Sequence, residues 1–155
     1  MAGFKKTNMF RLPSTTERIE KFINFLMLDG KKNIARRIFE NTLEEIKKNG
    51  HVNPLAVWEA AIDNAAPQVM VKSKRVWGAV YQVPLEVPAR KRLFYGSKWI
   101  IDIARAKKWA PMYIALSEEL LAAYSNQGNA VKKKEDAHKM AEANKAFAYM
   151  AKYVK

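Results

Sequence analysis

The chain contains no cysteine, which excludes a disulfide scaffold, a thiolate metal site and a cysteine nucleophile. Histidine is nearly absent as well: His51 and His138 stand far apart, without ligand partners at metal-binding spacing. No run of about 18 apolar residues occurs, so no segment reads as a membrane-spanning helix. Residues 1–13 lack the apolar core of a secretory signal. Glycine is scarce, at 6 of 155 residues, and no glycine-rich phosphate loop, nucleophile elbow or zinc-protease motif is present. Internal repeats and low-complexity linkers are missing too. Carboxylates sit beside bases (Glu17 and Arg18, Glu20 and Lys21, Glu40 and Arg37), the habit of solvated helix faces rather than of acid–base sites. Such a chain is expected to carry no catalytic residue, no metal and no cofactor.

What it does carry is apolar residues and positive charge. Apolar residues make up 49% of the chain, enough for a core, and the length fits one domain. Lysine and arginine number 28 against 15 acidic residues, a formal charge of +13. The excess lies in three zones. The first is an N-terminal arm, residues 1–13, with Lys5, Lys6 and Arg11. The second is the 72–92 segment, whose six basic groups face only one acid, Glu86, and which extends to Lys108. The third begins at Val131. A positive field of this kind favours a polyanion as partner; the plainer reading is a lysine-rich solvated surface.

Helix punctuation organises the rest. Ser14 or Thr15 can cap a first helix carrying Ile19, Phe22, Ile23 and Leu26, with Gly30 ending it. A second helix is expected from about Asn33 to Lys48, with Ala35, Ile38, Phe39, Thr42, Leu43 and Ile46 on one stripe and Gly50 as the stop. Asn53-Pro54 reads as a cap followed by a first-turn proline. It opens a helix with Leu55, Trp58, Ala61, Ile62 and Ala65, closed by Pro67. A fourth is expected from about Ala89 to Lys108, with Gly96, Trp99, Ile100, Ile103 and Ala104 facing inward. Pro111 starts a fifth, with Ile114, Leu120, Leu121 and Tyr124, and Gly128 stops it. A last helix is expected from roughly Val131 to Tyr153.

Between Pro67 and Pro88 the pattern changes. Residues 69–76 and 80–87 are rich in β-branched and aromatic side chains, and Trp77-Gly78-Ala79 lies between them. Gly78 is free to take the positive φ of a tight turn, and Pro84 suits a two-stranded ribbon better than a central strand. The expected fold is therefore mainly α: one six-helix domain over residues 14–155, with a two-stranded β-hairpin protruding at about 68–88. Strand alternation puts Lys72 and Lys74 on one face and Ser73 and Arg75 on the other. A tip basic on both faces strands charge if buried in protein, but it can lie along phosphates, each cation releasing a counterion. Trp77 and Tyr81 add flat rings for an unpaired base, or else serve as packing residues. Lys132-Lys133-Lys134 is expected to begin a helix, where cations oppose the macrodipole and a nearby polyanion explains them. Arg90-Lys91-Arg92 continues the basic surface or solvates a helix start. His138, four residues from both Lys134 and Glu142, suits a structural hydrogen bond.

Three stretches carry a family resemblance. Residues 21–32, Lys-Phe-Ile-Asn-Phe-Leu-Met-Leu-Asp-Gly-Lys-Lys, resemble the first-helix signature of the bacterial-type small-subunit ribosomal protein seven family. Residues 71–76 (Val-Lys-Ser-Lys-Arg-Val), Gly78 and residues 81–87 (Tyr-Gln-Val-Pro-Leu-Glu-Val) resemble its hairpin. Residues 130–148, from Ala-Val-Lys-Lys-Lys-Glu-Asp-Ala-His to Ala-Phe-Ala, are similar to its C-terminal signature. The match runs in order from about Thr16 to Phe147.

The resemblance implies a six-helix body with a protruding hairpin. It implies a structural, non-enzymatic constituent of the small ribosomal subunit. Such a protein binds ribosomal RNA directly and nucleates assembly of the head, the 3′ major domain of 16S-type RNA. The hairpin then lies near the exit-site tRNA and mRNA, and small-subunit proteins nine and eleven are neighbours. By position, Lys72, Lys74, Arg75, Gly78 and Tyr81 correspond to the family's hairpin; Lys31, Lys32, Lys132, Lys133 and Lys134 correspond to its basic body surfaces. With the arm (Lys5, Lys6, Arg11), Arg36, Trp77 and Arg90, Lys91 and Arg92, these form the expected RNA-binding set. Two departures stand out. The family usually has Gly-Gly-Ser-Thr or similar at the tip, where this chain has Trp77-Gly78-Ala79-Val80. Its tail commonly ends in a histidine and a tryptophan, where this chain reads Tyr-Met-Ala-Lys-Tyr-Val-Lys over residues 149–155.

The expected setting is the cytoplasmic ribosome of a bacterium, or alternatively that of an organelle. No transit-like leader rich in arginine and serine is visible in this numbering, which favours synthesis in the compartment of use. Two rivals make different demands. A helical protein-interaction adaptor with incidental charge predicts protein binding with weak salt dependence and tolerance of charge reversal at Lys72 and Arg75. A small RNA-modifying enzyme predicts turnover that dies on replacing His138 or Glu142 while RNA binding persists.

Overall fold

The computed structural model describes residues 17–153, and the N-terminal arm and the Ser14/Thr15 cap lie outside the described residues. Three helices come first: α1 (Glu17–Leu26), α2 (Lys32–Lys48) and α3 (Pro54–Ala65). Strands β1 (Val69–Val76) and β2 (Ala79–Glu86) follow. They lead to α4 (Ala89–Ala106), α5 (Met112–Tyr124), α6 (Gly128–Ala143) and a terminal 3-10 helix (Lys145–Tyr153). The mainly helical fold with one antiparallel hairpin is the one the punctuation predicts.

The core begins where the first three helices meet. Ile19, Phe22, Ile23 and Leu26 recur at helical spacing on α1 and are all buried. Phe22, Phe39 and Trp58, one from each of α1, α2 and α3, form a ring cluster with centroids 5.5–5.7 Å apart. Both Trp58 contacts are edge-to-face, the arrangement that aromatic quadrupoles favour. Ile100 and Ile101 of α4, Leu116 and Leu120 of α5, and Ala130 and Val131 of α6 extend the same buried cluster. Thr42 is buried because its hydroxyl donates to the Ile38 carbonyl (2.7 Å) and lies 3.3 Å from that of Tyr113, joining α2 to α5. Helices α3 and α4 touch at Gly96, where a Cβ would stand 2.7 Å from the Ile62 carbonyl oxygen. Only glycine allows that approach.

Several boundaries differ from the sequence expectation. Asn53 caps α3 as predicted, its side chain accepting from the Ala56 N–H at 3.2 Å, but Leu55 is exposed. Helix α4 ends at Ala106 rather than Lys108. Tyr124 is exposed rather than inward, its ring meeting His51 at the end of α5. Gly128 does not stop α5, which ends at Tyr124 with Ser125 as its cap; it begins α6 instead, at φ +89°. The cause is Glu119, buried on α5, whose carboxylate accepts from the Ala130 N–H (3.1 Å) and caps α6 from outside the helix. The last helix is broken at Asn144, whose side chain donates to the Met140 carbonyl at 2.8 Å. The chain then tightens to 3-10 geometry, and Phe147 reaches the hairpin.

The hairpin register pairs Val69 with Glu86 at the base and Val76 with Ala79 at the tip. Its turn is two residues, Trp77 (φ +48°) and Gly78 (φ +86°), both left-handed as a type I′ turn requires. An isolated ribbon is marginal, and this one is held at its base. Val83 is fully buried, Val87 is buried, and Tyr81 lies 5.4 Å from the Phe147 ring. The N–H of Gln68, just before β1, donates to His138 Nε2 on α6 (3.0 Å). His138 is thus structural, but it joins two distant segments instead of making the local contact its spacing suggested.

Candidate nucleic-acid interface

The fold sorts the basic residues into two kinds. Some cations are spent on backbone carbonyls. Lys134 Nζ donates to the Asn64 carbonyl (2.7 Å) at the C-terminal end of α3, and Arg105 donates to that of Leu26 (3.0 Å) at the end of α1. Both sit where a helix dipole is negative and its last carbonyls are orphaned. Arg92 Nε closes on the Val87 carbonyl (2.8 Å), fixing the passage from β2 to α4.

Other cations pair with acids, some of them buried or half-buried. Lys32 and Arg36 converge on Glu20, at 2.8 and 3.3 Å. The hydrogen bond from Lys32 holds the Glu20 carboxyl below its ordinary value, with Lys32 and Arg36 charge adding to the effect against partial burial. Lys107 reaches Glu118 (3.2 Å) and the buried Glu119 (3.7 Å). Arg18 bridges Glu59 and Asp63. Lys32, Arg36, Arg92 and Lys134, all in the expected RNA-binding set, are therefore engaged inside the fold.

A different group stays at the surface. Lys31, Lys72, Arg75, Arg90, Lys91, Lys132 and Lys133 are exposed, and Lys74 is half-buried. Local packing divides them. A groove of about 250 Å³ between the ribbon and α4 is lined by Lys72, Lys91, Glu86 and Tyr95, among others. A second, of about 420 Å³, sets Lys132, Lys133 and Asp136 of α6 against Lys107 at the end of α4. Arg90 and Arg92 share a third with Arg18, Lys21 and Asp63. Lys132 to Lys134 do not start their helix: α6 begins at Gly128, so they occupy its second turn. The carboxylate of Glu119 meets the α6 N-terminus. Lys5, Lys6 and Arg11 lie outside the described residues.

The two candidate stacking rings separate as well. Tyr81 is half-buried and packs on Phe147, so the packing alternative holds for it. Trp77 is 97% exposed. A bulky L-residue at positive φ costs roughly 1–2 kcal/mol, and the exposed indole gains no burial in return. Sequence reasoning passed over Trp109, 71% exposed beside Lys108 in the turn before Pro111. An aromatic next to two lysines in a short linker was the available signal.

Glu142, the other residue of the enzyme rival, is exposed and paired with Lys145 at 3.1 Å. With His138 accepting a backbone N–H, the pair has the surroundings of structural groups.

Fold and surface together define a class: a mainly helical protein with cations exposed along its grooves and on a β-ribbon. The sequence model described as Ribosomal protein S7p/S5e matches residues 4–145, and the chain belongs to that ribosomal protein family. It is 47% identical over 132 residues to the small ribosomal subunit protein uS7 of Pseudothermotoga lettingae, with 85% of each chain covered. The uS7 protein of Francisella philomiragia is 50% identical over 132 residues, covering 84% of each. That of Alkalilimnicola ehrlichii is 46% identical over 134 residues, covering 86% of each. Family membership carries with it a structural role in the small ribosomal subunit.

Proposed function

We propose that this chain binds small-subunit ribosomal RNA directly and nucleates assembly of the head, the 3′ major domain of 16S-type RNA. In this reading the ribbon lies near exit-site tRNA and mRNA, with small-subunit proteins nine and eleven as neighbours. The protein acts without chemistry of its own: phosphate contacts supply most of the affinity, and RNA shape supplies most of the specificity. One observation carries the reading. Glu20 and the buried Glu119 are held in ion pairs within the body, and the exposed acids beside the ribbon and the start of α6, Glu86, Glu135 and Asp136, are outnumbered by the exposed Arg75, Arg90, Lys91, Lys132 and Lys133. A surface so arranged is complementary to a polyanion. The engaged cations Lys32, Arg36, Arg92 and Lys134 then support RNA binding by shaping the body, and Lys31, Lys72, Lys74, Arg75, Arg90, Lys91, Lys132 and Lys133 face the RNA.

The test is binding to a head-domain RNA fragment across salt, beside a scrambled RNA of equal length. The expected result is a steep negative salt slope and affinity well above that for the scramble. Equal, weak binding to both would overturn the reading and leave a surface that is merely attracted to polyanions.

A further inference from the structure

The ribbon tip combines features that its fold does not require. Trp77 is almost wholly solvated and held at positive φ in a turn for which asparagine or glycine is the natural choice. The two-residue turn imposes the positive φ, so the strain lies in the choice of tryptophan for that position, and strain of this kind clusters at functional sites. Val80, two positions further on, is also exposed. The charge beside the ring is of one sign: Arg75 is exposed two residues away, and Lys72 and Lys74 precede it on β1. The ribbon's one acid, Glu86, is paired with Val69 at the far end. A protein pocket that took the indole would draw these cations out of water, whereas a nucleic-acid strand would neutralise them.

We propose that Trp77 is a stacking platform for one unpaired nucleobase of an RNA strand lying along the ribbon. This rests on the RNA-binding reading above and narrows it. A single base is specified because the ribbon's other ring, Tyr81, is held against Phe147. An unpaired base is specified because the faces of paired bases are already covered within a duplex. The indole offers a broad π-face, and the two-residue turn holds it in solvent two residues from Arg75.

The experiment compares wild type with Trp77→Gly and Trp77→Phe. Glycine suits the turn better than tryptophan, so the first variant keeps the ribbon; the second keeps a ring. The probes are a short oligouridine strand with one central 2-aminopurine, and a fully paired RNA duplex of the same length. Trp77→Gly is expected to weaken single-strand binding by about five- to hundredfold, to abolish the quenching of 2-aminopurine on binding, and to leave duplex affinity unchanged. Trp77→Phe is expected to retain part of the quench. Unchanged single-strand affinity and quench in Trp77→Gly would overturn the proposal, as would an equal loss for strand and duplex. The two readings fail separately. Quenching without preference for head-domain RNA sinks only the ribosomal RNA assignment, and preference without a Trp77-dependent quench sinks only the stacking role.

Discussion

Trp58 and Trp77 are the same residue in opposite surroundings, and they stand for the two halves of this molecule. Trp58 is fully buried between Phe22 and Phe39, where three helices meet. Trp77 stands on a left-handed turn with 97% of its surface in water. Where the first three helices meet, the largest rings are consumed by the chain itself. At the ribbon tip, a ring is presented outward near cations. Lysine shows the same division: Lys134 ties down the end of α3, while its neighbour Lys133 is exposed. Within one basic run, one residue holds the fold and the next is available to a partner.

The strongest way to break this comparison is to shorten both tryptophans. Trp58→Ala is expected to cost about 3–5 kcal/mol of stability in denaturant unfolding, because the cavity lies among rings that cannot collapse onto it. Trp77→Gly removes no buried contact and relieves the positive-φ strain, so the same measurement should show no loss and a gain of up to about 1 kcal/mol. Equal losses would erase the distinction between body and ribbon.

A smaller effect separates the lysines. Lys134→Met should lower stability by about 1 kcal/mol through the lost contact at the α3 C-terminus. Lys133→Met should leave stability within about 0.5 kcal/mol while reducing the salt slope of RNA binding by about 0.7–0.9. A slope reduced by Lys134→Met but not by Lys133→Met would reverse the assignment.

The smallest effect is a dependence on pH. Glu20 has a lowered folded-state value, so its contribution is present above the ordinary carboxylate value of 4.5. That contribution fades as pH falls through the lowered value. Glu20→Gln should reduce stability at neutral pH by about 1 kcal/mol or less and flatten this acid limb. An unchanged limb in urea titrations at neutral and acid pH would remove Glu20 from the account.

Much of the fold was legible because its signals are local. The α1 stripe, the Asn53-Pro54 start of α3 and the positive φ at Gly78 all depend on residues within a turn or two, and each is found as expected. The errors arose where a distant partner intervened. Gly128 reads as a stop until Glu119, on another helix, caps the segment that follows. The final helix reads as continuous until Phe147 turns to Tyr81, on the distant ribbon, beyond the local closure at Asn144. For the candidate interface, the sequence marked the basic zones but could not divide them. The partners of Lys134 and Arg105 are carbonyls 70 and 79 residues away, without any side-chain signature.

Sequence alone therefore determined the helical class, the hairpin and its turn, the excess and location of positive charge, and the family resemblance. These depend on side-chain type and spacing. Tertiary structure decided which cations and which rings are left for a partner. That choice is made by long-range contacts, which exist only once the helices have packed.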